Sequence, residues 1–328
     1  MGAPPDTAGA IEIPGPWQHR YVAANGARFH VVEAQPISSP EPGGRSGGAD
    51  LSAAPGDPPL VLLLHGFPEF WWTWRDQIRT LAAHGYRVAA MDLRGYGGSD
   101  KPPRGYDPLT LSRDVVGVVK ALGERSAVLV GHGWGGYVAW AAAALHPREV
   151  SALCTVSAPH PNVMLSSLRS RNAVALRHLL AMQVPTLPER RLSRASTGFL
   201  RSHLESWSSP SSTFPDEETV ATYQAALRLW PAPHCALEYH RWLFRSRFRG
   251  DGRQFHRYMQ RPVAQPVCVV NGADDPALPR GGADRSQRQV TGPYETHALP
   301  GVGHFPHEEA PDAFDDVLLR WLAATGRD

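Results

Sequence analysis

The sequence predicts a doubly wound α/β protein with a mostly parallel sheet and an inserted helical segment, on three observations. Short, continuously apolar runs at 60–64, 87–91, 127–130, 150–156 and 266–270 alternate with helical stretches, as strands covered on both faces of a parallel sheet do. The alternation stops near Pro159 and resumes only at Pro266, and the residues between read as helices and loops. The run Ala127-Val-Leu-Val130 ends in a glycine cluster, Gly131-His132-Gly133-Trp134-Gly135-Gly136, and a small-residue helix follows from Tyr137 to Leu145. A strand, a sharp turn and a helix in that order place the turn at the C-terminal edge of the sheet, where ligands of such folds bind.

Taken in order, residues 1–17 are rich in Gly, Pro and Ala and are expected to form a flexible tail. His19 to Glu33 carries two β-prone runs around Asn25-Gly26, a hairpin signal. Pro36 to Pro59 has no periodicity and is expected to be an insertion loop. Leu60 to Leu64 is a buried strand, Trp72 to Ala83 a helix, Arg87 to Met91 the next strand and Leu109 to Leu122 the next helix. Within the insertion, helices are expected at 169–182, 217–229 and 236–245. After the strand Pro266 to Val270 come a short strand, Tyr294 to Leu299, and a closing amphipathic helix, Pro311 to Ala324, with Pro at its start. The expected organisation is a core of 18–159 and 263–328 and a helical cap of 160–262 over the C-terminal edge of the sheet.

Composition narrows the function. At 328 residues the chain can bury a large core, as one domain with a subdomain or as two. A formal net charge of +2 excludes a strong electrostatic footprint for nucleic acid or an anionic membrane. Lys101 and Lys120 are the only lysines, a bias of composition before it is a recognition surface. No apolar run reaches the roughly 18 residues a membrane span needs, and the N-terminus lacks a signal-peptide pattern. Cys154, Cys235 and Cys268 are too few and scattered for a disulfide framework or a zinc site, and the first and last lie in aliphatic runs as buried thiols. A soluble cytoplasmic protein is the expectation.

Five motifs in order carry a resemblance: His65-Gly-Phe-Pro-Glu69, Asp92-Leu-Arg-Gly-Tyr-Gly-Gly-Ser-Asp100, Gly131-His-Gly-Trp-Gly-Gly136, Gly272-Ala-Asp-Asp-Pro276 and Gly301-Val-Gly-His-Phe-Pro306. Over roughly residues 17–324 the chain resembles the α/β-hydrolase fold, and within it the epoxide hydrolase and haloalkane dehalogenase branch. The resemblance implies that His304 is the general base and that Asp275 fixes its tautomer and stabilises its cation. Asp274 beside it is a turn residue. It implies an oxyanion hole of the Phe67 and Trp134 backbone N–H groups, with the Trp134 indole lining the pocket and able to donate to a ligand. Phe67, where dehalogenases of the branch place a halide-holding Asn or Trp, disfavours halide binding. Tyr239 resembles one of the two cap tyrosines that polarise an epoxide oxygen; the counterpart of the other is His178. Glu69 and the Trp71, Trp72, Trp74 cluster read as structural or cap-facing, and His307 as a solvated loop histidine.

One position departs from the pattern. The Gly-x-nucleophile-x-Gly frame holds Gly133 where the branch has a nucleophilic Asp. Glycine relieves the backbone strain of such an elbow and removes the nucleophile with it. Ser157, after the next strand, is the nearest hydroxyl in sequence. Two readings follow, each for a monomer or homodimer expected to need no cofactor or metal: a hydrolase in which His304 and Asp275 activate a water over Gly133 to attack a small apolar epoxide or ester, or a non-catalytic protein of the same fold that binds a small apolar ligand in its capped pocket.

Overall fold

The computed structural model describes residues 7–37, 59–167, 173–194, 198–279 and 281–325. Its chain runs α1 (Thr7–Ile11), β1 (Gln18–Ala24), β2 (Ala27–Ala34), β3 (Leu60–Leu64), α2 (Arg75–Ala83), β4 (Val88–Met91), α3 (Pro108–Ala121), β5 (Ala127–His132), α4 (Trp134–Leu145) and β6 (Val150–Val156). Among the described residues seven helices intervene before the sheet resumes: α5 (Pro161–Ser167), α6 (Ala173–Ala181), α7 (Leu187–Leu192), α8 (Gly198–Trp207), α9 (Glu217–Leu227), α10 (Ala232–Ser246) and α11 (Gly250–Tyr258). The chain closes with β7 (Val267–Gly272), α12 (Gly282–Gln287), β8 (Tyr294–Leu299), α13 (Pro306–Glu309) and α14 (Pro311–Thr325). The eight strands form one sheet in the order β1-β2-β4-β3-β5-β6-β7-β8. β1 pairs antiparallel with β2 and β2 with β4, and every other pairing is parallel. This is an α/β fold with a mostly parallel, doubly wound sheet.

Local chemistry explains the elements that fix the site. All five residues of β3 and all six of β5 are buried, so these strands sit at the centre of the sheet. Asn25 (φ 45°) and Gly26 (φ 73°) supply the two left-handed residues of a two-residue hairpin. Asp107 caps α3 by accepting from the Thr110 N–H at 2.9 Å, with Pro108 at the first helical position. α4 is buried along almost its whole length, and Gly135 at its start is required by contact: a Cβ there would lie 2.1 Å from the Leu64 carbonyl oxygen. That close approach of α4 to β3 sets the height of the β5–α4 turn above the sheet.

The structure corrects two expectations at this level. The segment from residue 7 is not a loose tail: Ile11 is buried, its carbonyl accepts from the Trp71 indole N–H at 2.8 Å, and the Trp17 and Trp71 rings meet edge to face at 5.3 Å. Its Gly- and Pro-rich composition hid two apolar anchors, Ile11 and Trp17, that cover aromatic surface. Trp71 to Trp74 form a 3₁₀ turn before α2, so the helix there begins later than periodicity suggests. Residues 1–6 lie outside the described residues, as do 38–58 of the expected insertion loop. The expected helix at 169–182 is seen as α6 from Ala173, its first residues also lying outside them.

Candidate active site

The turn between β5 and α4 sets the centre of the site. Gly133 has φ 50° and ψ −112°, a conformation that a residue with a Cβ reaches only at a cost of about 1–3 kcal/mol. Its N–H donates to the Val156 carbonyl at 3.0 Å and its carbonyl accepts from the Tyr137 N–H at 3.0 Å, so the turn is held from β6 and from within α4. A Cβ built on Gly133 would meet nothing closer than the Gly66 Cα at 3.7 Å and the His304 Nε2 at 3.9 Å.

His304 reaches this point from the loop after β8. Its Nδ1–H donates to the Asp275 Oδ2 at 2.7 Å, which leaves the Nε2 lone pair toward Gly133. Asp275, from the turn after β7, has its other oxygen taken by the Ala277 N–H at 2.7 Å. The backbone of His304 is pinned on both sides: its N–H donates to the Trp207 carbonyl at 2.8 Å, and its carbonyl accepts from His132 Nε2–H at 2.9 Å. Asp274 faces away, accepting from Ser209 Oγ at 2.9 Å. The N–H groups of Phe67 and Trp134 donate to no acceptor among the described residues, and both residues line the same cavity as Gly133. The Phe67–Pro68 peptide is cis.

Beneath the turn lies a buried ion pair. His132 Nδ1 lies 2.8 Å from the Glu69 Oε2 while Nε2 serves the His304 carbonyl, so both ring nitrogens donate and the ring is an imidazolium. Burial alone would lower the His132 pKa, but Glu69 outweighs it and the net shift is upward. Burial would raise Glu69, but His132 and then His307 hold it well below the ordinary carboxylate range. The same Glu69 oxygen accepts the Gly66 N–H at 2.7 Å, tying the turn after β3 to the turn after β5. His307 is not a solvated loop residue. It is 1% exposed, sits 2.8 Å by Nε2 from Thr73 Oγ1 and stacks on Trp74 at 4.3 Å, because α13 folds it under the turn. Burial lowers its pKa to about 4, so it is neutral.

Above the turn is a cavity of about 100 Å³, lined by Gly133, His304, Phe67, Trp134 and His178 among others. The inserted helices form its far wall through His178, Trp207, His240 and Leu243. The structure corrects the Tyr239 assignment: its side chain is buried away from the cavity, and its O–H donates to the Arg94 carbonyl at 2.7 Å. One residue along an α-helix turns the side-chain direction by about 100°, and this puts His240 in the wall instead. The Trp134 indole does not keep its N–H for a ligand either, since it donates to His240 Nε2 at 3.1 Å. His240 in turn offers Nδ1–H to the Ala236 carbonyl at 3.2 Å, so both its nitrogens are used. His178 lines the cavity, packed against His203 and His240 at 5.0 Å each. Burial lowers all three, His203 to about 3 and His240 to about 4, so they stand as neutral imidazoles.

Sequence reasoning missed Trp207, His240 and Tyr137. Trp207 and His240 lie in the insertion, where no motif marks them. Tyr137 is four residues after Gly133, and the i, i+4 spacing would have placed it over the turn had the helix been started at Trp134.

Known proteins share this architecture. Residues 59–311 match the α/β hydrolase fold family. Epoxide hydrolase A of Mycobacterium tuberculosis is 30% identical over 330 residues, covering 92% of this chain and 96% of that protein. Among solved structures, epoxide hydrolase A from Mycobacterium thermoresistibile superposes with a TM-score of 0.75 at 26% identity, covering 94% of this chain and 98% of that one. An epoxide hydrolase from an endophytic Streptomyces gives 0.76 at 27% identity, covering 95% and 96%. The chain belongs to the α/β hydrolase fold family and is an epoxide hydrolase-like member of it.

Proposed function

We propose that this protein is a hydrolase of a small apolar epoxide or ester in which His304 drives water directly onto the substrate. The observation that carries the reading is the His304 Nε2 facing Gly133, 3.9 Å from the place a Cβ would take, with Nδ1 held by Asp275 at 2.7 Å. Gly133 stands at the elbow position of the family nucleophile, so the two-step covalent route lacks its first bond. A base oriented by a carboxylate needs only a water in hydrogen-bond reach to act. The helical cap, residues 160–262, supplies the apolar wall that excludes bulk solvent.

In the ester case the water oxygen bonds to the carbonyl carbon while Nε2 takes its proton. The charge on the carbonyl oxygen is met by the N–H groups of Phe67 and Trp134, and the C–O bond to the alcohol then breaks as His304 returns the proton to the leaving oxygen. In the epoxide case the water oxygen bonds to a ring carbon, the ring C–O bond breaks, and its electron pair goes to the ring oxygen. His304 Nε2 takes the water's proton as the new C–O bond forms and returns it to the ring oxygen, which neutral His178 holds by a hydrogen bond, and the product is the vicinal diol. The cavity volume, about 100 Å³, selects small molecules; a cavity of about 150 Å³ holds benzene.

The test is a panel of small aliphatic epoxides and esters assayed with the wild type, His304→Ala and Gly133→Ala. The wild type turns over one class and His304→Ala loses that activity. Gly133→Ala loses roughly tenfold or more, because its methyl occupies the water position and displaces the base's proton donor. Ligand binding with no turnover by the wild type would make the protein a non-catalytic binder.

A further inference from the structure

Two residues of the cavity lining carry hydroxyls that have no part in the mechanism above. Tyr137 is 3% exposed and Ser157 2% exposed, both line the cavity with Gly133 and His304, and neither hydroxyl has a hydrogen-bond partner among the described residues. They come from independent elements. Tyr137 lies one turn into α4, its ring edge-on to Trp134 at 5.5 Å and tilted on Phe255 at 6.0 Å. Ser157 follows β6 with φ 50°, its N–H donating to the Val270 carbonyl at 2.9 Å. Buried hydroxyls without partners are costly, and two of them on residues that line one apolar cavity point to a ligand atom that completes them.

We propose that Tyr137 and Ser157 form an oxygen-binding subsite, which selects neutral apolar ligands that carry an acceptor oxygen. The rest of the lining supports neutrality: no Asp, Glu, Lys or Arg is among the described residues around the cavity. The Trp134 indole and both nitrogens of His240 are already paired, so of the polar side chains here they leave the oxygen to others. Burial raises the Tyr137 phenol above its ordinary range, so it stays protonated and donates. A carboxylate or ammonium ligand would find no counter-ion in this wall and would lose its hydration.

The inference rests on the cavity as the substrate site, and its test reads binding, so it can fail separately from the hydrolase reading. Calorimetry compares 1,2-epoxybutane with ethylcyclopropane, its isostere in which CH₂ replaces the ring oxygen, in the His304→Ala background where the epoxide is not consumed. The protein with both hydroxyls binds the oxide more tightly, by roughly three- to tenfold for each hydrogen bond. Tyr137→Phe and Ser157→Ala each remove part of that preference and together reduce it furthest, leaving what the Phe67 and Trp134 N–H groups and His178 give, while ethylcyclopropane affinity stays within about twofold, as expected for groups that contribute only through the oxygen. Tyr137→Phe melts at or above the parent temperature, because it deletes a hydroxyl the fold leaves unpaired. Equal binding of the two ligands by the parent, a preference undiminished in the double variant, or a Tyr137→Phe protein that melts several degrees lower would overturn the subsite. An intact preference without any hydrolysis by the wild type would sink the proposed function alone.

Discussion

Gly133→Asp asks whether the rest of the site is in register for the covalent route. At φ 50° and ψ −112° the new Cβ costs about 1–3 kcal/mol of backbone strain. It meets no steric obstacle, since its nearest neighbours would be 3.7 and 3.9 Å away. The variant therefore folds, with a melting temperature lower by a few degrees. Its carboxylate stands beside the Phe67 and Trp134 N–H groups and opposite His304, where it can attack a ring carbon to give an ester that His304-activated water then cleaves. Losing a nucleophile costs about 10⁶ in kcat in serine hydrolases, which bounds the gain from above. With no tyrosine pair over the oxygen the expected gain is smaller, on the order of 10²–10³ over the wild type for a small epoxide (a general acid is worth about 10²–10⁴). Diol formation gives the rate, and intact-mass analysis of acid-quenched samples detects the ester adduct at one substrate mass. A folded variant that shows neither turnover nor adduct would refute the placement of His304 and the two amides around this turn.

Three further outcomes follow from the geometry. Tyr239→Phe leaves the Arg94 carbonyl without its donor and costs about 1–3 kcal/mol in denaturant unfolding, while turnover changes less than about twofold; a roughly tenfold loss of kcat at unchanged stability would return Tyr239 to the substrate site. Glu69→Gln breaks the buried pair with His132 and costs about 3–5 kcal/mol, read by urea melts, with a loss below about 1 kcal/mol refuting the ion pair. Stability also falls on acidification. His160 (about 3), His240 (about 4) and His307 (about 4) are held neutral in the fold by burial, below the ordinary value of 6.5. The unfolded chain therefore binds more protons, so their contribution is present above pH 6.5 and is lost as pH falls toward 4, about 2 kcal/mol for each by pH 5. The Glu69–His132 pair has the opposite pattern on its histidine side: it contributes fully between 4.5 and 6.5 and is lost as pH rises through the raised His132 value. Thermal melts across roughly pH 4–8 check the sum, and a melting temperature that holds steady from about pH 7 to pH 5 would contradict it.

How far the site was legible depended on which residues a local pattern binds. His304, Asp275, Phe67 and Trp134 sit in short motifs whose turn geometry is set by neighbouring glycines, and the structure has His304, Phe67 and Trp134 line one cavity with Gly133 and Asp275 hold His304 from behind. Tyr239 and His240 are adjacent on one helix, and neither the helical period nor composition says which of two neighbours faces the cavity. Their directions follow from partners at Arg94 and Trp134, more than a hundred residues away. Burial is equally nonlocal: His307 looked solvated because its own loop is polar, whereas Thr73 and Trp74 enclose it.

By itself the sequence determined the layered α/β architecture and the absence of a side chain at position 133, because apolar runs, glycines and residue identity are local properties of the chain. Tertiary structure alone decided where His304 Nε2 points, which hydroxyls are left unpaired in the cavity, and that His132 is a buried cation. Those are sums over contacts between elements distant in the chain, and such sums exist only once the sheet has assembled.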